Sequence, residues 1–293
     1  MDSVSEAIAA LPPEARRHFG LEGIPGESGF RPLAELLDLT GLAVLVTGGG
    51  GPDLGSALCR RLAGQGALIG VLDVDAAAAK TVAAELGEMT GRDHIALAAD
   101  VTDWAGVHAA AAEFADRAGR LDVLVNNAGG AFGTHGPFAT RTQADIDAVV
   151  AVNLVGVLYA THAALAPMRA QGRGRVVTIA SEGGRIAMRD LGVYNTCKAG
   201  VIAFMRNLAR EVGGDGISTV TVCPGGLLAP RLVDRMAAWP GPLASAIDQG
   251  LAATPLGRFG LPDEVAVAVA FLASAAGAYI NGTELSVGGG QSA

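Results

Sequence analysis

The chain has 293 residues, half of them apolar, with a net charge of −8 and an isoelectric point near 5.1. This length is ample for a large buried core, and the composition excludes a disordered chain, which would need low hydrophobicity and high charge. The acidic balance argues against a nucleic-acid or anionic-membrane partner, because surfaces that bind such partners are rich in Lys and Arg.

Cysteine usage and the apolar stretches bear on the compartment. Cys59, Cys197 and Cys223 are too few and too scattered for a disulfide framework or a zinc site, and an odd, low count fits a reducing compartment. The N-terminus lacks the sustained apolar core of a signal peptide. The apolar stretches 148–160 and 265–273 are short or interrupted, which favours buried helices over membrane spans. The sequence therefore predicts a cytoplasmic protein without a bound metal or a membrane span.

Two regions differ in composition. Residues 1–40 are rich in Pro, Gly and charge and show little periodicity, so we interpret them as an N-terminal extension with a short helix near 31–38. Residues 41–293 show a regular pattern with no repeat and no linker. This pattern predicts a single domain.

Within that domain, apolar runs of strand length alternate with segments of helical length. Strands are predicted over 42–47, 68–73, 94–99, 122–126, 175–180, 217–222 and 284–287. Helices are predicted over 55–65, 76–86, 103–118, 143–170, 195–212 and 262–275. Runs that are apolar throughout are typical of parallel strands buried on both faces. The alternation predicts an α/β, doubly wound Rossmann-type fold, with a seven-stranded, mainly parallel sheet and helices on both faces.

The first predicted strand leads into a glycine-rich turn over residues 47–55, and a helix follows. A turn without side chains lets backbone N–H groups and the helix N-terminus approach a pyrophosphate. The second strand ends in Asp73, which could hydrogen-bond the adenosine ribose and repel a 2′-phosphate, so NAD is favoured over NADP. Asp75 is the better candidate for the cap of the next helix. A methyltransferase could carry the same two features.

Further landmarks follow in order, and they resemble those of the short-chain dehydrogenase/reductase family. They are Asn126-Asn127-Ala128-Gly129, Asn153 within a predicted helix, Ser181 after the fifth strand, Tyr194 four residues before Lys198, and a tail over 255–266 and 281–289. The resemblance covers about residues 38–290. A methyltransferase has no use for these landmarks.

The chemistry of this set can be argued from the residues. Tyr194 and Lys198 lie on one helix face, with Cβ atoms roughly 5–6 Å apart. An ammonium at that distance is expected to lower the pKa of the phenol, so that Tyr194 could act as general acid or base. Ser181 could hydrogen-bond the substrate oxygen from the end of its strand.

The resemblance implies a set of site residues. The catalytic residues would be Asn153, Ser181, Tyr194 and Lys198, with Lys198 also holding the nicotinamide ribose and Asn153 anchoring a water chain that leads protons away. Asn126 would support the sheet and cofactor. The residues expected to bind NAD are Gly48, Gly50, Leu54, Gly55, Asp73, Asp100, Val101, Asn127, Ala128, Gly129, Tyr194, Lys198, Pro224 and Gly225.

Two positions depart from the family pattern. The glycine turn is one residue longer than usual, and Asp53 stands where a glycine is expected, so cofactor affinity is expected to be modest. Ala229 stands where a threonine often contacts the carboxamide.

The expected function is hydride transfer between NAD(H) and a small or cyclic secondary alcohol or the matching ketone, with selectivity set by loops 130–142, 182–193 and 227–254. Arg185 and Arg189 could bind an anionic substrate group, although solvated arginines are the simpler interpretation. By the same resemblance, the apolar helices predict a homodimer or homotetramer. The alternatives are an NADPH-dependent biosynthetic ketoreductase, which Asp73 opposes, and a non-catalytic nucleotide-sensing protein, which would typically have lost the Tyr or Lys.

Overall fold

A computed structural model describes residues 8, 10–18, 31–237, 248 and 250–293. Its seven strands are β1 Ala43–Thr47, β2 Leu68–Asp73, β3 Ile95–Ala98, β4 Val123–Asn126, β5 Gly174–Ile179, β6 Ile217–Pro224 and β7 Thr283–Val287. They form one sheet in the order β3-β2-β1-β4-β5-β6-β7. Every neighbouring pair is parallel. The predicted fold class is confirmed, and the sheet expected to be mainly parallel is parallel throughout.

The main helices cover both faces of the sheet. They are α1 Gly55–Gly64, α2 Ala76–Thr90, α3 Trp104–Ala118, α4 Gln143–Val150, α5 Gly156–Ala170, α6 Gly192–Val212, α7 Pro230–Ala237 and α8 Pro262–Ala273. Buried residues of α1, α2 and α8 form the core on one face. Buried residues of α3, α5 and α6 form the core on the other face. Strands β1 and β4 are buried along their whole length, as expected of strands covered on both sides.

Helix boundaries follow local capping chemistry. Asp75 is the N-cap of α2, and its side chain accepts hydrogen bonds from the backbone N–H groups of Ala77 and Ala78. This leaves Asp73 available for another role, as the sequence predicts. Helix α2 ends at Thr90 and so runs past the predicted end at residue 86, and it is capped by Gly91, whose left-handed φ of 70° suits glycine.

The long helix predicted over 143–170 is not continuous. A π-helical turn, Ala151–Val155, separates α4 from α5 and carries the buried Asn153. Single π-turns are uncommon and are often found at functional sites. A second difference is the start of α6 at Gly192 instead of residue 195, which places Tyr194 within its first turn.

The stretch Gln143–Ala170 is long and apolar enough to cross a membrane by length and composition, and 44% of its most apolar window is buried inside the fold. It packs against α3 and against strands β4 and β5. A core helix of an α/β domain has the same apolar composition. The structure therefore supports its interpretation as a domain helix.

Of the predicted N-terminal extension, residues 1–7, 9 and 19–30 lie outside the described residues. The described part contains two short helices, Pro13–His18 and Leu33–Leu36. Leu39 is completely buried, and its N–H donates to the carbonyl of Gln65. The end of this segment therefore packs against the domain beside α1.

The strand order creates a crevice at the carboxyl end of the sheet. From β1 the chain proceeds outward to β2 and β3, whereas β4 lies on the other side of β1 and continues the sheet in the opposite direction. In open α/β sheets, ligands bind where the order reverses, because the loops that follow the two central strands diverge there. The loops after β1 and β4 carry the glycine-rich turn and the Asn-Asn-Ala-Gly segment.

Candidate active site

The glycine-rich turn after β1 is closely packed against the loop after β4. Gly48 has a φ of +63°, and a Cβ there would lie 2.9 Å from the Cα of Ala128. A Cβ on Gly55 would lie 2.0 Å from the carbonyl oxygen of Gly48. A side chain at either position would displace neighbouring backbone atoms, so both positions require glycine. The turn therefore has no side chains at these positions where it faces the cleft.

Asp73 lies at the end of β2 and holds this turn in place. One carboxylate oxygen accepts from the N–H of Gly50 at 3.0 Å, and the other accepts from the N–H of Asp75 at 3.0 Å. Asp73 also lines a cleft of about 380 Å³, together with Gly48, Leu54, Gly55, Asp100, Val101, Asn127, Ala128 and Gly129. Gly50, predicted to bind cofactor, does not line this cleft and instead contacts Asp73.

Asn127 joins the two central loops through its amide group. Its side-chain nitrogen donates to the carbonyl oxygens of Thr47 and Gly48, at 3.0 and 3.1 Å. In return, the hydroxyl of Thr47 accepts from the N–H groups of Asn127 and Ala128. This role of Thr47 was not predicted from the sequence, although its position between a strand and a glycine turn was a usable signal.

Asn126, one residue earlier, contacts the sheet and the helix behind it. Its side-chain nitrogen donates to the hydroxyls of Thr161 and Thr178. At the other end of the cleft, Asp100 accepts from the N–H and hydroxyl of Thr102 and so closes its own turn, while Val101 is almost fully buried. The two threonines that hold Asn126 were not identified from the sequence.

A second cleft, of about 540 Å³, adjoins the first and contains the predicted catalytic side chains. Ser181, Tyr194 and Lys198 line it together with Pro224 and Gly225, the loop that follows β6. Asp53, Leu54, Asn127, Gly129 and Phe132 line both clefts. The two clefts therefore form one continuous groove from Asp73 to Tyr194.

Tyr194 is hydrogen-bonded to Ser181, and this contact lowers the pKa of the phenol. Burial acts in the opposite direction and is the larger effect, so the net pKa of Tyr194 is raised. The ammonium of Lys198 lies 5.6 Å from the centre of the tyrosine ring. The prediction from the sequence that the pKa of Tyr194 is lowered is therefore wrong for the protein without its cofactor. Removing the phenolate from water costs more free energy than the polar neighbours of Tyr194 return.

Ser181 has two partners. Besides its contact with Tyr194, its hydroxyl oxygen accepts from the N–H of Gly183 at 3.0 Å. The serine thus closes the turn after β5 and also faces Tyr194. A hydroxyl oriented by a backbone N–H can still donate its own proton.

Lys198 is almost completely buried, and its ammonium donates to the carbonyl of Ile179 at 2.9 Å. Burial lowers the pKa of Lys198 from 10.5 to about 8. A buried lysine with one carbonyl partner has further donor capacity, which a ligand hydroxyl could use. The carbonyl contact fixes the lysine behind Tyr194 at the end of β5.

This shift predicts a pH-dependent stability. Because the pKa of Lys198 falls from 10.5 to about 8 on folding, only the unfolded chain keeps this proton between those values, so stability rises with pH there. Relative to a Lys198→Met variant, the free energy of unfolding of the wild type should gain about 2–3 kcal/mol between pH 7 and pH 10. Urea unfolding of both proteins at the two pH values measures this. A constant difference would contradict it.

Asn153 lies behind the cleft, with no exposed surface. Its side-chain oxygen accepts from the N–H of Gly130 at 3.0 Å, and its nitrogen donates to the carbonyls of Gly130 and Val149 at 2.8 and 2.9 Å. A Cβ on Gly129 would lie 2.7 Å from this oxygen and 3.3 Å from the Lys198 ammonium. Asn153 therefore secures the loop after β4 close to Lys198. Its predicted water chain stays a prediction.

The two candidate anion-binding arginines lie outside the cleft-lining set. Arg185 donates to Ser292 at 2.7 Å and lies 3.5 Å from the carboxylate of Glu182. The Arg189 side chain is 88% exposed beside Asp190. Glu182 itself, assigned to a selectivity loop from the sequence, is fully buried and hydrogen-bonded to Ser286. These contacts favour a structural role for Arg185 and Glu182, whereas the exposed Arg189 fits the interpretation of a solvated arginine.

The remaining described lining residues of the second cleft are mostly small or apolar: Gly130, Ala131, Gly133, His135, Ile179, Ala180, Gly226, Leu227, Ala229 and Leu232.

All three cysteines are buried free thiols. Among the described residues there is no group of three or more His, Cys, Asp or Glu side chains placed to hold a metal ion. Trp239, in a predicted selectivity loop, lies outside the described residues.

Comparisons with known proteins place this chain in a family. A family model described as enoyl-(acyl carrier protein) reductase matches residues 53–292. D-threitol dehydrogenase from Mycolicibacterium smegmatis is 38% identical over 86% of this chain and 93% of its own. Levodione reductase from Leifsonia aquatica is 36% identical over 87% of this chain and 95% of its own. The chain belongs to the short-chain dehydrogenase/reductase family, and it is an oxidoreductase.

Solved structures agree with this assignment. The crystal structure of levodione reductase superposes with a TM-score of 0.80 over 86% of this chain and 98% of its own. A 7α-hydroxysteroid dehydrogenase complexed with NADH and a 7-oxo bile acid has a TM-score of 0.79 at 29% identity, covering 88% of this chain and 96% of its own. The fold predicted from the sequence is thus the fold of known dehydrogenases.

Proposed function

We propose that this protein is an NAD(H)-dependent oxidoreductase that interconverts a secondary alcohol and a ketone. The observation that carries the proposal is the continuous groove with Asp73 at one end and the Ser181–Tyr194 pair, backed by Lys198, at the other. The bare glycine turn fits a dinucleotide, because a pyrophosphate needs close approach to backbone N–H groups.

The residues of the groove have separate roles in this proposal. Asp73 binds the adenosine ribose, and Lys198 binds the nicotinamide ribose. The nicotinamide supplies hydride transfer to or from the substrate carbon. Ser181 donates a hydrogen bond to the substrate oxygen, and Tyr194 takes the alcohol proton at its phenolic oxygen, or returns it to the ketone. Pro224 and Gly225 line the same cleft and would border the nicotinamide.

The proposed substrate is a small or cyclic neutral alcohol. Lys198 is the only Lys or Arg among the described lining residues of the second cleft, and it lies behind Tyr194. An anionic substrate would find no second fixed cation there. Relatives named for threitol, levodione and cyclohexanol are in keeping with neutral polyol or cyclic substrates.

The proposal includes a cytoplasmic location and assembly into a homodimer or homotetramer. Helices α3 and α5 support the assembly, since they present Trp104, His108, Tyr159 and His162 as an aromatic cluster in which Trp104 is 46% exposed. An exposed aromatic cluster on paired helices is typical of a surface that a partner covers.

The test begins with separate NADH and NADPH titrations, followed by nicotinamide fluorescence. NADH should bind at least tenfold more tightly than NADPH, and an NAD⁺-coupled screen of polyols and cyclic alcohols should then give turnover. Preference for NADPH would overturn the Asp73 argument and favour the biosynthetic ketoreductase. Binding without any turnover would favour a nucleotide-sensing protein.

A further inference from the structure

Phe132 occupies an unfavourable backbone position at the join of the two clefts. It has a φ of 48°, and among the described residues only Asp190 is another non-glycine with positive φ. Gly133 follows with a φ of 75°, and the N–H and hydroxyl of Thr134 donate to the carbonyl of Ala131. Two consecutive positive φ angles in a four-residue turn normally call for Asn or Gly, since a Cβ is unfavourable there. Phenylalanine is a poor residue for this turn.

The surrounding structure holds the turn in this conformation. On one side, Asn153 binds both the N–H and the carbonyl of Gly130. On the other side, the N–H of Gly136 donates at 3.0 Å to the carbonyl of Asp190, in the loop that precedes Tyr194. Non-glycine residues persist at positive φ when the fold fixes them, and such residues cluster at ligand sites.

The ring does not gain burial from this arrangement. Phe132 is 56% exposed, although burying an aromatic side chain would stabilise the fold. It lines both the cleft that contains Asp73 and the cleft that contains Tyr194. The turn thus presents an exposed apolar ring at the place where a ligand occupying the whole groove must pass from one cleft to the other.

We propose that Phe132 is a binding residue that covers the bound dinucleotide at this join and shields its reactive end from water. This inference rests on the proposed function, because it requires a nicotinamide dinucleotide in the groove. The ring would exchange its exposure to water for contact with the ligand, and that contact would offset the unfavourable backbone. Phe132 therefore lowers the stability of the free protein and raises its affinity for the dinucleotide.

The test uses variants that separate the ring from the backbone. Phe132→Gly and Phe132→Asn suit the turn and remove the ring, whereas Phe132→Tyr keeps it. Asp190→Gly is the matched control, since it relieves the other positive φ and leaves the ring in place. Melting temperature, NADH affinity and the emission maximum of bound NADH are measured for each.

Phe132→Gly and Phe132→Asn should melt a few degrees higher than the wild type and bind NADH five- to tenfold more weakly. Bound NADH in these variants should emit closer to free NADH, because water reaches the nicotinamide. Phe132→Tyr should match the wild type, and Asp190→Gly should melt higher at unchanged affinity. If Phe132→Gly binds NADH as tightly as the wild type, or melts at a lower temperature, the inference about Phe132 is overturned and the proposed function still stands. A wild type that binds neither nucleotide would overturn the proposed function as well.

Discussion

Replacing Tyr194 by Phe is expected to lower kcat/KM for alcohol oxidation by about 10²–10⁴-fold, the usual contribution of a positioned general acid or base. The substitution removes only the phenolic oxygen, which hydrogen-bonds to Ser181 and would carry the substrate proton. The benzene ring stays above Lys198, so the shape of the cleft is preserved. Steady-state kinetics with the best alcohol of the screen measure the effect.

Binding and stability distinguish this loss from a damaged fold. Tyr194→Phe should bind NADH within about twofold of the wild type and melt within a few degrees of it. The substitution removes the Tyr194 partner of the Ser181 hydroxyl, but that hydroxyl keeps its hydrogen bond from the N–H of Gly183. Ser181→Ala is the companion variant and should lose less, since it removes one neutral hydrogen bond to the substrate oxygen. Residual activity of Tyr194→Phe above a tenth of the wild type would show that another group moves the proton.

The direction of the Tyr194 shift also sets the pH dependence. Burial raises the pKa of Tyr194, so the phenolate needed as base in alcohol oxidation is a minor form at neutral pH. Oxidation should therefore speed up from pH 7 to pH 9, whereas ketone reduction, which needs the protonated phenol, should not. The cationic oxidised nicotinamide would favour the phenolate, whereas loss of the Lys198 proton near pH 8 would disfavour it, and both effects moderate this slope.

The fold was predictable because strand and helix signals agreed along the chain. All-apolar runs separated by helical segments leave little choice beyond a doubly wound parallel sheet, and the predicted strand ends lie within two residues of the observed ones. The π-turn at Ala151–Val155 was not predictable from periodicity. It carries Asn153, whose side chain bonds to Gly130 in another loop, and tertiary contacts of that kind leave no local pattern.

Residues of the candidate site could be predicted only where a side chain of suitable chemistry also lies at a characteristic position relative to the predicted strands and helices. Asp73 ends β2, Ser181 follows β5, and Tyr194 and Lys198 lie in the first two turns of α6, so their position at the carboxyl edge of the sheet follows from topology. The burial of Glu182 against Ser286 could not be read from the sequence, because the two residues are 104 positions apart. The raised pKa of Tyr194 was missed for a related reason, since desolvation depends on the whole surrounding fold.

Replacing Asp73 by Asn or Ser should abolish the preference for NADH. With the carboxylate gone, the 2′-phosphate of NADPH is no longer repelled, so NADPH should bind more tightly than to the wild type. NADH should bind roughly tenfold more weakly, because a charged hydrogen-bond acceptor at the ribose contributes about 1.5–3 kcal/mol. Together these changes should lower the NADH-to-NADPH affinity ratio by about a hundredfold, measured by fluorescence titration.

The paired variants separate the charge of Asp73 from its structural role. Its two oxygens hold the N–H groups of Gly50 and Asp75, so Ser, which is shorter, should also loosen the glycine turn and lower the melting temperature. Asn keeps one acceptor oxygen and should change selectivity with a smaller loss of stability. Asp75→Asn is the control, because Asn is as good an N-cap and Asp75 lies outside the described lining of both clefts. If Asp73→Asn keeps the NADH preference, selectivity must come from elsewhere in the groove, and the carboxylate then serves only to hold the turn.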